Sequence, residues 1–91
     1  MPLINQLLNR MNITEATLRN WMIQKIAEEA GIKEEEINAD APFESFSLDS
    51  LSLVSISYDL ENFSGKTVDP TVFGEYQTIN KLVSWLDKQQ N

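Results

Sequence analysis

The chain has 91 residues, with seven Lys plus Arg against fourteen Asp plus Glu, a net charge of −7, and neither Cys nor His. That length supports one small domain, and the acidic balance excludes phosphate-neutralising contact with nucleic acid and attraction to an anionic membrane surface. Without thiol or imidazole there is no disulfide, no zinc site of the usual ligands and no hydrolase triad. No catalytic residue and no metal ligand is therefore assigned, and any chemistry must use carboxylates, hydroxyls or a group added later.

Residues 1–13 read as an extension. Leu3, Ile4, Leu7, Leu8 and Met11 recur at steps of three and four, which suits a helix. It either packs on the domain and frays, or docks to another protein. Met1 to Arg10 lacks a basic leading region, and Asn5, Gln6 and Asn9 interrupt its apolar residues, so it does not read as a signal peptide. No stretch approaches the roughly 20 apolar residues that span a bilayer. The cytoplasm is the expected location, and the sequons at Asn12 and Asn62 are expected to stay unmodified.

The domain proper is expected over residues 14–91. Thr14 can cap a helix, with Glu15 in its positive first turn. Leu18, Met22, Ile26 and Ala30 follow at i+4 steps, with Trp21 and Ile23 widening the stripe. Gly31 can take the left-handed conformation that ends it, with Ile32 folding back on the last turn, so the helix is predicted over 14–30. A long connection follows, from Ile32 to Asp49. Its acidic run, Glu34 to Glu36, is assigned no chemistry. Pro42 forbids a helix there, and Ile37, Phe43, Phe46 and Leu48 are expected to pin the loop to the core.

Leu51 to Phe63 is ambiguous by periodicity alone. Length and the absence of a pairing partner favour a helix over a strand. Its two stripes then separate. Leu53, Ile56, Leu60 and Phe63 form the core side, while Leu51, Val54 and Tyr58 lie on roughly the opposite side. Asp59 and Glu61 are two apart, so they point away from each other and do not form an acid–base pair. Ser64-Gly65-Lys66 ends the element, and Pro70 begins a short helix through about Gly74. Thr78 caps a last helix with Ile79, Leu82, Val83 and Leu86 inward, Trp85 marginal, and Lys88 near its C-terminal dipole.

The informative string is Phe46-Ser47-Leu48-Asp49-Ser50-Leu51. Ser50 falls where a loop enters a helix, so its hydroxyl is either an N-cap or an exposed functional group beside free N–H donors. Asp49-Ser50-Leu51 resembles the phosphopantetheine attachment motif of acyl carrier proteins. The likeness runs over roughly residues 17–88, through Asp40-Ala41-Pro42-Phe43, Asp69-Pro70-Thr71-Val72-Phe73 and Tyr76-Gln77-Thr78-Ile79.

That resemblance implies an all-α, four-helix bundle of three main helices and one short one, with a long first loop. It implies 4′-phosphopantetheine, drawn from coenzyme A and held covalently on Ser50 between Asp49 and Leu51. It further implies acyl groups carried as thioesters, and a protein that is no enzyme but a tethered substrate at high effective concentration. The implied partners are a phosphopantetheinyl transferase with its magnesium, an acyl-loading enzyme or acyltransferase, and a ketosynthase or other polyketide or fatty-acid enzyme. Leu51, Val54, Tyr58, Asp59 and Glu61 are the expected partner-binding residues of a monomer. Ser47 departs from the family's usual glycine, so the turn there is expected to avoid positive φ. Ser52 and Ser55 stand where fatty-acid carriers tend to be acidic, so recognition should lean on apolar contact. Polyketide-type carriage ranks first, fatty-acid second and peptidyl third; an unmodified acidic helical adaptor is the alternative from another class.

Overall fold

The computed structural model describes residues 13–89; the extension predicted over 1–13 lies, apart from Ile13, outside the described residues. Helix α1 runs Glu15–Ala30. The Thr14 hydroxyl accepts from the Thr17 amide at 3.2 Å and supplies the N-cap. Gly31, at φ 71°, ends the helix, and the amides of Gly31 and Ile32 both donate to Ala27 O. The backbone half of the expected C-cap forms, but Ile32 itself stays 38% exposed.

The connection then crosses the domain through two 3-10 turns, Glu34–Glu36 and Phe43–Phe46. Phe43 is buried and meets Phe73 edge to face at 5.0 Å, while Ile37, Phe46 and Leu48 pack half-buried against the core. Backbone groups tie the loop down as well. The Phe43 amide donates to Gln77 O at 2.8 Å, and the Asn80 amide donates to Ala39 O at 3.0 Å. The Asn80 side chain donates to Asp40 and accepts from Arg19 Nε, each at 2.6 Å, so it links loop, α1 and the last helix.

Helix α2 spans Ser50–Ser64, the short α3 spans Val72–Glu75 and α4 spans Ile79–Asp87. No β-strand forms among the described residues; Pro42 and Thr78 make an isolated bridge. The fold is therefore an all-α bundle of three main helices and one short one with a long first loop, the architecture that the resemblance implies. Its fully buried large side chains are Leu18, Met22, Ile26, Ile56, Leu60, Ile79, Leu82, Val83 and Leu86, so every main helix contributes to one core. Helices α1 and α2 run antiparallel. Trp21 stacks on Phe63 at 5.2 Å, and one turn on Lys25 pairs with Asp59 at 2.6 Å.

Two local expectations change, and one gains a second residue. Helix α3 starts at Val72 rather than Pro70, because Asp69 first builds a turn whose carboxylate accepts from the amide and hydroxyl of Thr71. A further cation at the C-terminus of α4 is Lys66, whose ammonium donates to Leu86 O at 2.7 Å. Lys88 lies at the C-cap, at the helix end where it is expected, and its amide donates there too. Ser47 does take positive φ, with φ 55° and ψ 39°, contrary to the expectation that the turn avoids it. The left-handed residue closes the second 3-10 turn by donating its amide to Glu44 O, and a continued right-handed path would carry that turn into α2.

Candidate functional site

Four consecutive residues build the loop-to-helix junction. Ser47 reverses the chain, Leu48 packs back on the core, Asp49 caps and Ser50 begins α2. The capping oxygen belongs to Asp49, not Ser50: its carboxylate accepts from the Ser52 amide at 2.8 Å. That bond, the Ser52 hydroxyl and the Leu51 amide hold the Asp49 carboxyl below its ordinary 3.8. The N-cap alternative for Ser50 is thereby removed. Ser50 is exposed, and its hydroxyl has no hydrogen-bond partner among the described residues. A free hydroxyl at the first position of a 15-residue helix, beside amides with no intrahelical partner, is chemically suited to become a phosphate ester.

The helix behind it has two faces. Ile56 and Leu60 are fully buried, and Leu53 and Phe63 pack half-buried on the same core. Leu51, Val54 and Tyr58 are 80%, 50% and 64% exposed, so the helix presents three large apolar side chains to solvent. Ser57 is also buried, a position the stripes do not single out. Its hydroxyl donates to Val54 O at 2.8 Å, so a small polar residue enters the interior without an unpaired group.

The two acids expected on the exposed face are engaged within the domain. Asp59 pairs with Lys25, whose ammonium is held above its usual 10.5, first through that hydrogen bond. Glu61 Oε1 accepts from the Val68 amide at 2.8 Å and so anchors the segment leading to α3. Neither bond is legible from spacing, because each joins α2 to another element.

Beside the junction lies an open cavity of about 330 Å³. Leu48 and Leu53, which flank Asp49 and Ser50 in the chain, form part of its wall, and Phe43, Pro70 and Phe73 add more apolar surface. Gly74 also lines it, and a Cβ there would meet nothing within 4 Å, so the space beside it is open. No cluster of three or more potential metal-ligating side chains occurs among the described residues. None of their helices is long and apolar enough to cross a membrane.

Comparison with known proteins agrees with this geometry. Residues 20–86 match the family model described as "Phosphopantetheine attachment site". The chain belongs to this carrier-protein family. Its members hold 4′-phosphopantetheine covalently, and the exposed hydroxyl at the start of α2, without a partner among the described residues, fits such a group. Over 72 residues the chain is 33% identical to a phenolphthiocerol/phthiocerol polyketide synthase polypeptide of Mycobacterium tuberculosis, matching 79% of this chain but 4% of that much longer one. It is 36% identical over 74 residues to acyl carrier protein TtuC of Teredinibacter turnerae, with 81% of this chain and 85% of that one covered. Among solved structures, a free-standing peptidyl carrier protein from Acinetobacter baumannii superposes with a TM-score of 0.75 at 33% identity, covering 79% and 90% of the two chains. Acyl carrier protein LipD from Actinoplanes friuliensis gives 0.66 at 32%, covering 81% and 82%.

Proposed function

We propose that this protein carries acyl intermediates of polyketide type on a 4′-phosphopantetheine arm attached to Ser50. The observation that carries the assignment is the Ser50 hydroxyl: exposed, without a partner among the described residues, and freed from capping by Asp49. Transfer from coenzyme A forms the Oγ–phosphorus bond and breaks the pyrophosphate bond, with the adenosine 3′,5′-bisphosphate half leaving. The neighbouring Asp49 carboxylate is occupied by the Ser52 amide, and in this reading the hydroxyl proton leaves to a base on the transferase. When bound, the arm supplies a terminal thiol that holds acyl groups as thioesters. The chain's own part is to present that anchor, not to catalyse.

Residues 14–91 form the carrier domain in this reading. Leu51, Val54 and Tyr58 form the face that meets the transferase, the acyl-loading enzyme and a ketosynthase or comparable enzyme. With Asp59 and Glu61 bound inside the domain, apolar contact outweighs charge in that recognition. The cavity walled by Leu48, Leu53 and Phe73 offers an apolar shelter beside the anchor.

The likeness to a peptidyl carrier supports a second reading, in which the cargo is an aminoacyl group. Intact-mass analysis of protein from its own host separates the two. The polyketide reading predicts a mass increment of one phosphopantetheine, alone or with an acyl group. An increment containing an amino acid would transfer the assignment to peptidyl carriage, and an unmodified mass would favour a plain adaptor.

A further inference from the structure

Ser47 is the one non-glycine residue with positive φ among those described, and it lies three residues before Ser50. Its side chain is exposed and has no hydrogen-bond partner among the described residues. Nothing the hydroxyl touches accounts for the backbone. The conformation itself is what the junction uses. A right-handed residue at 47 would prolong the turn over Phe43–Phe46. Leu48 would then leave the core, and Asp49, extended at φ −84° and ψ 175°, could no longer cap α2. Backbone outliers of this kind persist where the surrounding structure over-determines them. Here it is over-determined from both sides, by the Ser47 amide on Glu44 O and by Leu48 packed on the core.

We propose that Ser47 is a positioning residue for loading of the arm: its left-handed backbone, locked by Leu48, fixes where the Ser50 hydroxyl stands. The inference rests on Ser50 being the attachment site. It assigns the role to the torsion angles at 47 and none to the serine hydroxyl.

The test compares Ser47→Gly, Ser47→Asn, Ser47→Ala and Ser47→Val with the parent protein. Glycine and asparagine accept the left-handed region, alanine less well, and β-branched valine worst. Each is loaded by a phosphopantetheinyl transferase with coenzyme A and Mg²⁺, followed by intact mass, with melting recorded in parallel. The expected result is that Gly and Asn load within about twofold of the parent. Val should lose about tenfold or more in kcat with KM for the carrier little changed, because the partner face is untouched, and Ala should fall between. Full-speed loading of a folded Val variant overturns the proposal, as does a Gly variant as slow as Val. If the Val variant does not fold, the Ala and Gly pair decides, equal kcat values overturning the proposal. Failure of the parent itself to load would instead reject Ser50 as the anchor.

Discussion

At the residue scale the junction depends on Asp49 and Ser47 doing different work from what their sequence neighbours suggest. Asp49 takes the cap and leaves Ser50 free. Its carboxyl lies below 3.8 because of the Ser52 bonds, and Asp69 is lowered for the same kind of reason at Thr71. A depressed carboxyl contributes stability that is fully present above the unfolded value and is lost as pH falls through the folded one. Stability should thus be flat above about pH 5 with respect to these two groups and decline below it. Asp49→Asn keeps an acceptor oxygen but does not titrate, so acid titration of its melting temperature should show a shallower decline than the parent. An unchanged slope would mean that the cap bond does not couple to protonation. Holding a serine in the left-handed region costs about 1–2 kcal/mol. Ser47→Gly should therefore raise stability by roughly 0.5–1 kcal/mol in urea unfolding, after glycine's own entropy cost is subtracted.

At the element scale α2 is the decisive piece, because its two faces have opposite tasks. Leu60→Asp or Ile56→Asp puts an unpaired charge at a fully buried position, at a cost of several kcal/mol. Either should abolish cooperative thermal unfolding. Val54→Asp sits on the half-exposed face and should leave melting nearly unchanged while slowing both arm transfer and acyl loading. Unaltered rates would remove this face from partner recognition. Glu61→Ala leaves the buried Val68 amide without its acceptor and should cost about 1–3 kcal/mol in urea unfolding. It should do so with little effect on loading, which separates an internal anchor from a partner contact.

The same helix shows how far the sequence can be read. Its buried and exposed stripes are legible because side chains on a helix repeat every 3.6 residues and α2 has sharp ends at Asp49 and Gly65. Thr14, Gly31 and Thr78 are legible as caps for the same local reason. What spacing cannot give are bonds between elements: Lys25 with Asp59, Lys66 with the end of α4, and Asn80 between Asp40 and Arg19. Ser47 departs from its expected conformation because residue type does not fix φ there; the hydrogen bond to Glu44 O and the packing of Leu48 do.

At the scale of the whole molecule, a 91-residue acidic chain with neither thiol nor imidazole sets the exposed Ser50 hydroxyl at the entry of a helix that packs into the core. The core is continuous through α1, α2 and α4, and the long loop is stitched to it by Phe43 and Asn80. Rigidity of the bundle and freedom of the anchor are thus separated in space. A serine whose side chain bears no bond among the described residues is expected to be replaceable without unfolding the domain. The most direct measurement is intact mass after incubation with coenzyme A, Mg²⁺ and a broad-specificity transferase, run on the parent protein and on Ser50→Ala with matched melting curves. The predicted result is one added phosphopantetheine on the parent and none on a variant that melts at the same temperature. A parent of unchanged mass, or an alanine variant that still gains the arm, would contradict it.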